Sequence, residues 1–165
     1  MPGADPQPVS PRTVTFEPMT AEAAQSLGEA LAQIDPWARY AYTGETLAAF
    51  LGGEEPGAQR FQIIVDQAIA GAIVVRSNWL RGPYLQFLGI VPAFHRQGVG
   101  RSALFWFERA AEAGDARNLW VVASDFNVAA QAFYERHGFA RVGTIDGLVA
   151  EGAAEILFRK RLTIG

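Results

Sequence analysis

The residues His95-Arg96-Gln97-Gly98-Val99-Gly100-Arg101-Ser102 constrain the fold more than any other stretch of the chain. Before them runs the apolar segment Leu85-Gln86-Phe87-Leu88-Gly89-Ile90-Val91, followed by Pro92; after them runs the helix-forming segment Ala103-Leu104-Phe105-Trp106-Phe107-Glu108. The order is strand, glycine turn, helix. Glycine turns tightly and leaves neighbouring amides uncovered. A helix opening there aims free N–H groups and its positive dipole end at one spot. Such a site suits phosphate, above all the pyrophosphate of a nucleotide cofactor. Arg96 and Arg101 agree with this, because a helix start disfavours cations unless an anion lies between them.

Two familiar phosphate motifs fit this turn poorly. A P-loop ends in Gly-Lys-Ser/Thr, whereas Gly100 is followed by Arg101-Ser102. The dinucleotide fingerprint G-x-G-x-x-G/A is met literally by Gly98, Gly100 and Ala103, and Asp125 lies near its acidic position. That fingerprint, however, opens directly after its strand. Here Pro92 and five further residues intervene, and a β-hairpin pattern precedes them.

Composition excludes several other classes. With 165 residues, half of them hydrophobic, the chain is long enough for one globular domain with a full core. A net charge of −3 and a pI of about 5.4 argue against nucleic acid as the main partner. There is no cysteine, so disulfides, thiolate metal sites and a cysteine nucleophile are excluded. Two histidines make a zinc site unpromising, and no metal is expected. No Gly-x-Ser-x-Gly elbow occurs. No apolar run approaches membrane-span length. Met1 to Pro11 is Pro-rich and lacks the apolar core of a signal peptide. We therefore expect a loose tail over residues 1–12, a single domain over 13–165 and a cytoplasmic location.

Periodicity supplies the remaining elements. Strands are expected at Thr13–Glu17, Arg60–Asp66, Ile69–Arg76, Pro83–Val91, Leu119–Ser124, Phe139–Thr144 and Glu155–Arg161. Helices are expected at Thr20–Ile34, Thr43–Leu51, from the glycine turn to about Ala113, and Val128–His137. Gln67-Ala68 reads as a hairpin turn, and Asn127 as a helix cap.

The stretch Ile90-Val91-Pro92-Ala93-Phe94-His95-Arg96-Gln97-Gly98-Val99-Gly100 resembles the acyl-CoA signature of the GNAT acetyltransferases. That pattern is Gln/Arg-x-x-Gly-x-Gly/Ala after a strand ending in Val-x-Pro; His95 departs from its first position. The segment Asn127-Val128-Ala129-Ala130-Gln131-Ala132-Phe133-Tyr134-Glu135-Arg136-His137-Gly138-Phe139 resembles the family's second signature, Asn-x-x-Ala-x-x-(apolar)-Tyr-x-x-x-Gly-Phe. The resemblance implies an α/β fold with a mixed, mostly antiparallel sheet of six to seven strands and about four helices. It extends over about residues 13–161.

The resemblance also implies roles. Leu88, Gly89 and Ile90 would pair with a pantetheine arm, and the Ile90 amide would polarise the thioester carbonyl. His95, Arg96, Gln97, Gly98, Val99, Gly100, Arg101 and Ser102 would hold the phosphates, with Asn127, Ala130, Phe133 and Tyr134 flanking the cofactor. Tyr134 would serve the departing thiolate; its plain alternative is a core aromatic. The general base is open. The two positions where relatives carry a glutamate hold Tyr84 and Val122, which leaves Asp125, a bound water or Tyr84. Lacking a strong base, such an enzyme would favour an α-amino group, with a pKa of about 8, over lysine at about 10.4.

Pro36-Trp37-Ala38-Arg39-Tyr40 looks like a segment of the ribosomal-protein amino-terminal acetyltransferases, so Trp37 and Tyr40, with Tyr84, are candidate acceptor contacts. Pocket, lid and core cover all remain open for Trp37 and Tyr40. Residues 147–152 form a second candidate rim. The expected activity is acetyl transfer from acetyl-CoA to a primary amine of a small molecule or peptide terminus, by a monomer or homodimer. The alternatives are a non-catalytic acyl-CoA sensor and a toxin acting on charged tRNA; the latter needs a basic face that a pI of about 5.4 does not advertise.

Overall fold

The computed structural model describes residues 12–163. The tail expected over 1–12 therefore lies, apart from Arg12, outside the described residues. The elements are β1 (Val14–Pro18), α1 (Ala21–Leu31), α2 (Gly44–Gly52), β2 (Ala58–Val65), β3 (Ala68–Arg76), β4 (Tyr84–Ile90), α3 (Val99–Ala113), β5 (Asn118–Ser124), α4 (Val128–Arg136), β6 (Ala140–Asp146) and β7 (Ala154–Arg161). Their order is the one the sequence predicts. One addition is a 3-10 turn at Pro92–Phe94, between β4 and α3.

Local chemistry sets the element ends. The Thr20 side chain accepts the Ala23 N–H at 3.1 Å, and that of Thr43 accepts the Thr46 N–H at 3.0 Å. Both are N-caps that satisfy orphan donors of a first turn. Helix α1 stops earlier than its apolar spacing suggests, because the Ile34 N–H turns back to the Leu31 carbonyl at 3.2 Å. The β2–β3 hairpin turns on Asp66 and Gln67, with φ of 48° and 70°, rather than on Gln67-Ala68. A two-residue loop with both φ positive matches the twist of the strands it joins.

Seven strands form one sheet in the order β1-β2-β3-β4-β5-β7-β6. Every neighbouring pair is antiparallel except β4–β5, which is parallel. Side chains alternate across the sheet and make two cores. Ala72 and Val74 of β3 pack with Leu27 and Leu31 of α1 and Leu47 and Leu51 of α2. Ile73 and Val75 pack with Val99, Leu104 and Phe107 of α3 and with Tyr134 of α4 on the opposite face.

The feature that positions the site is a break in the middle of the sheet. Strands β4 and β5 pair only at Tyr84↔Trp120 and Leu85↔Val121, although β4 runs on to Ile90 and β5 to Ser124. Across β3, Val74 faces Phe87 and Val75 faces Leu85, so Gln86 is an extra residue on β4. A bulge bends its strand and strengthens the local twist. The bulge falls where β4 leaves β5, and the two strands diverge from there into a gap.

Candidate active site

The gap exposes one edge of β4. The Val91 N–H bonds to the Ala70 carbonyl at 2.8 Å, on the β3 side. Backbone groups alternate in direction along a strand. The N–H and C=O of Leu88 and Ile90 therefore face the gap, whereas those of Gly89 face β3. Agreeing with this, the Gly89 oxygen lies so close to Gly71 that a Cβ there would collide with it. Of the three residues expected to pair with a pantetheine arm, Leu88 and Ile90 turn their backbone to the gap, the Ile90 oxygen lying against His95. Gly89 serves otherwise. A Cβ there would stand 2.9 Å from Trp37 Cη2 and from Leu31 Cδ1, so this glycine makes room for the Trp37 ring.

Beyond β4, the chain crosses the 3-10 turn and starts α3. Gly98 caps α3 in the left-handed region, with φ 78°, and no side chain caps that end. The Ser102 N–H is the first to find the helix, bonding to the Gly98 carbonyl at 3.0 Å. The amides of residues 99–101 are left as orphan donors. Arg96 and Arg101 are exposed, and neither makes an ion pair among the described residues. The residues present thus fit a pyrophosphate: free amides, a positive helix end and two available guanidinium groups.

The glycines of this turn do different work. Gly98 needs its positive φ, whereas Gly100 lies inside the first helical turn. A Cβ on Gly100 would stand 3.6 Å from Phe133 Cζ, so the start of α3 lies against α4. His95 does not point at the helix start. Its Nε2 lies 2.6 Å from the Ile90 oxygen, closing the chain back on the end of β4. The Gln97 side chain donates to the Ala93 carbonyl at 2.9 Å and accepts from Arg12, so it holds the turn together.

Beside the gap is a cavity of about 490 Å³. Trp37, Tyr40, Tyr84, Leu88, Val122, Asn127, Ala130 and Tyr134 line it, as do Leu148 and Val149 of the second expected rim. Tyr84 and Val122, the two positions where the resemblance implied a glutamate, both line it. Trp37 stacks on Phe87 with ring centroids 4.5 Å apart. Asn127 caps α4, accepting the Ala130 N–H at 3.2 Å, and also meets the cavity.

Tyr134 is 7% exposed and packs edge-on against Phe133 and Phe139. Its hydroxyl makes no hydrogen bond among the described residues. The ring belongs to the core, then, and the hydroxyl to the cavity. Burial pushes this phenol well above its usual pKa, and the neighbouring Tyr84 adds to the shift. Burial, then the charge of Glu155, raise Tyr84 as well.

Asp125 is exposed and does not line the cavity. Its backbone and side chain tie the start of β7, the carboxylate accepting the Ala154 N–H at 3.3 Å. The carboxylate that does line the cavity is Glu155, 5% exposed, on β7 opposite Ser124. Its Oε1 accepts the Ser124 hydroxyl at 2.9 Å and the Tyr40 hydroxyl. Burial, then the bond to Glu155, push the Tyr40 phenol up to about 12. Sequence reasoning missed Glu155 because it opens an otherwise ordinary strand. Its one signal was a charge at the head of the apolar run Ile156-Leu157-Phe158. The expected preference for α-amino groups rested on Tyr84 and Val122 standing where a glutamate would; Glu155 places a carboxylate elsewhere on the cavity.

Residues 22–139 match the Acetyltransferase (GNAT) family. The chain belongs to this family. Streptothricin acetyltransferase A of Bacillus subtilis (strain 168) is 26% identical over 96 residues, a match spanning 58% of this chain and 55% of that protein. The solved ribosomal-protein-S18-alanine N-acetyltransferase of Escherichia coli shares the fold with a TM-score of 0.71 at 19% identity, covering 93% of this chain and 96% of that one. So does a GNAT family acetyltransferase from Elizabethkingia anophelis with acetyl-CoA bound, with a TM-score of 0.68 at 14% identity over 93% and 100% of the two chains. The seven strands and four α-helices of the described residues agree with the GNAT architecture expected from the two signatures. No helix among the described residues is long and apolar enough to cross a membrane.

Proposed function

We propose that this chain transfers the acetyl group of acetyl-CoA directly to a primary amine. The observation that carries the reading is the gap between β4 and β5. It offers an unpaired strand edge, an uncapped helix start at one end and an aromatic cavity alongside. Acetyl-CoA supplies a thioester whose carbonyl an amine can attack.

The residues divide the work by position. The amides of 99–101, with Arg96 and Arg101, hold the phosphates. Leu88 and Ile90 pair with the pantetheine arm as an added strand would. The Ile90 N–H faces the gap, where it stabilises the oxyanion that develops on the carbonyl. Ala130 and Phe133, with the Asn127 cap, form the α4 wall.

Tyr134 acts on the leaving sulfur. A buried phenol whose pKa is raised keeps its proton through neutral pH, so it donates a hydrogen bond. A thiolate with a pKa of about 8.5 needs no more than that to depart. Trp37, Tyr40 and Tyr84 line the acceptor side. The curated relative's name gives streptothricin as its acceptor, and we carry over from it the amine class alone.

Thiolate release from acetyl-CoA, followed across amines, amino acids and peptide termini, tests the proposal. Release that requires an amine and yields one acetylated product per thiol supports it. Tight acetyl-CoA binding without release for any amine replaces it with the sensor reading.

A further inference from the structure

The cavity beside the gap has an unusual charge pattern. Glu155 is the one side chain lining it that carries a formal charge, among the described residues. Trp37, Tyr40, Phe50, Tyr84 and Phe87 line the same cavity. No arginine or lysine lines this cavity to neutralise the carboxylate. Both hydroxyls that reach Glu155, from Tyr40 and Ser124, converge on Oε1. Oε2 accepts no hydrogen bond from a described residue, and it is not a sealed, unsatisfied atom. One carboxylate oxygen is thus held rigid by two donors, and the other is open to a donor entering the cavity.

A buried carboxylate without a cationic partner is costly. A ligand ammonium supplies that partner, and aromatic faces add cation–π attraction. We propose that Glu155 is the acceptor-binding carboxylate and general base of this site, and that its substrates are cationic amines with an apolar body and no carboxylate beside the nitrogen. This deepens the proposed acetyl transfer and rests on it for the chemical step. A free amino acid would bring its own carboxylate against Glu155 in a cavity that offers no cation to screen the two; an arylalkylamine or a peptide amino terminus would not.

The proton balance closes. The bound ammonium gives one proton to Glu155 Oε2 and regains its lone pair. The neutral nitrogen attacks the acetyl carbonyl carbon. The C–N bond forms, the C–S bond breaks, and the second amine proton leaves with coenzyme A as its thiol. Glu155 then returns its proton to water. Tyr40 and Ser124 act as positioning residues, fixing Oε1 so that Oε2 keeps its aim.

The test uses the full chain and three probes of one shape: 2-phenylethylamine, 2-phenylethanol and L-phenylalanine. Calorimetry without acetyl-CoA reads binding. The amine is expected to bind at least about tenfold more tightly than the alcohol or the amino acid, a difference of about 1.4 kcal/mol. Glu155→Gln, which keeps size and hydrogen bonding, is expected to remove that preference while leaving the alcohol unchanged. Turnover of 2-phenylethylamine by Glu155→Gln is expected to fall about 100-fold or more in kcat, with the KM for acetyl-CoA unchanged. Wild-type protein that binds L-phenylalanine as well as the amine overturns the inference, and needs no variant to do so. A folded Glu155→Gln protein with unchanged amine affinity and kcat overturns it too, and leaves acetyl transfer standing. Ammonium binding that depends on Glu155, in a protein that never releases thiolate, supports the binding site and removes the acetyl-transfer reading instead.

Discussion

Tyr134 and Tyr40 are phenols on one cavity, and their partners give them different work. Tyr134 keeps a free hydroxyl and a raised pKa, which suits it to hydrogen-bond a leaving thiolate. Tyr134→Phe removes only that hydroxyl. It is expected to lower turnover roughly ten- to a thousandfold, around the scale of proton-donor effects, with unchanged acetyl-CoA affinity by calorimetry. Wild-type turnover would return Tyr134 to a packing role. Tyr40 donates to Glu155 and is pushed up to about 12. Above pH of about 10 an unfolded chain ionises this phenol while the folded protein still holds its proton. The folded state then binds more protons, so stability falls as pH rises from about 10 to about 12. Tyr40→Phe should flatten part of that fall, which paired thermal melts at pH 8 and near pH 11 would read. Single residues were only partly legible in the sequence. Two of the expected backbone contacts, Leu88 and Ile90, face the gap, because a motif fixes local geometry. Glu155 was not found, because its meaning depends on Tyr40 and Ser124, which are distant in sequence and meet it only in the fold.

The same division holds for elements. Strand and helix order followed from periodicity, with Asn127 marking the start of α4. The break between β4 and β5 did not, because a bulge at Gln86 is a property of strand pairing. No local pattern in Leu85-Gln86-Phe87 reports which residue its neighbour will skip. The glycine turn was legible as a turn, but the roles of its glycines were not. Gly98 alone needs a left-handed φ, and nothing lies within 4 Å of the Cβ it lacks. Gly98→Ala should therefore cost about 1–2 kcal/mol through backbone strain alone, without a clash. It should also disorder the amides that follow, weakening acetyl-CoA by about tenfold or more in calorimetry. Gly100→Val should leave the fold intact by circular dichroism and abolish acetyl-CoA binding, because its side chain crowds the same amides. Undiminished binding in both folded variants would remove the start of α3 from the cofactor site.

At the scale of the molecule, two cores clamp the sheet from opposite faces, and the site lies where the sheet itself is incomplete. Strand pairing between β4 and β5 stops at Leu85 and Val121, which leaves an edge that a ligand can pair with. Filling the gap should therefore stabilise the whole fold, not one loop. With acetyl-CoA at a hundred times its Kd, the linkage gain is about 2.7 kcal/mol, visible as a rise in Tm. Fold class was legible at this scale because the two signatures and the order of elements agree with one architecture. The acceptor was not, because the cavity is assembled from the α1–α2 connection, β4, β5, α4 and the residues before β7. A crystal structure with coenzyme A tests the central claim most directly. The account predicts an extended pantetheine paired with the backbone of Leu88 and Ile90, and a pyrophosphate on the amides of residues 99–101. Coenzyme A bound elsewhere, with the gap between β4 and β5 empty, would contradict it.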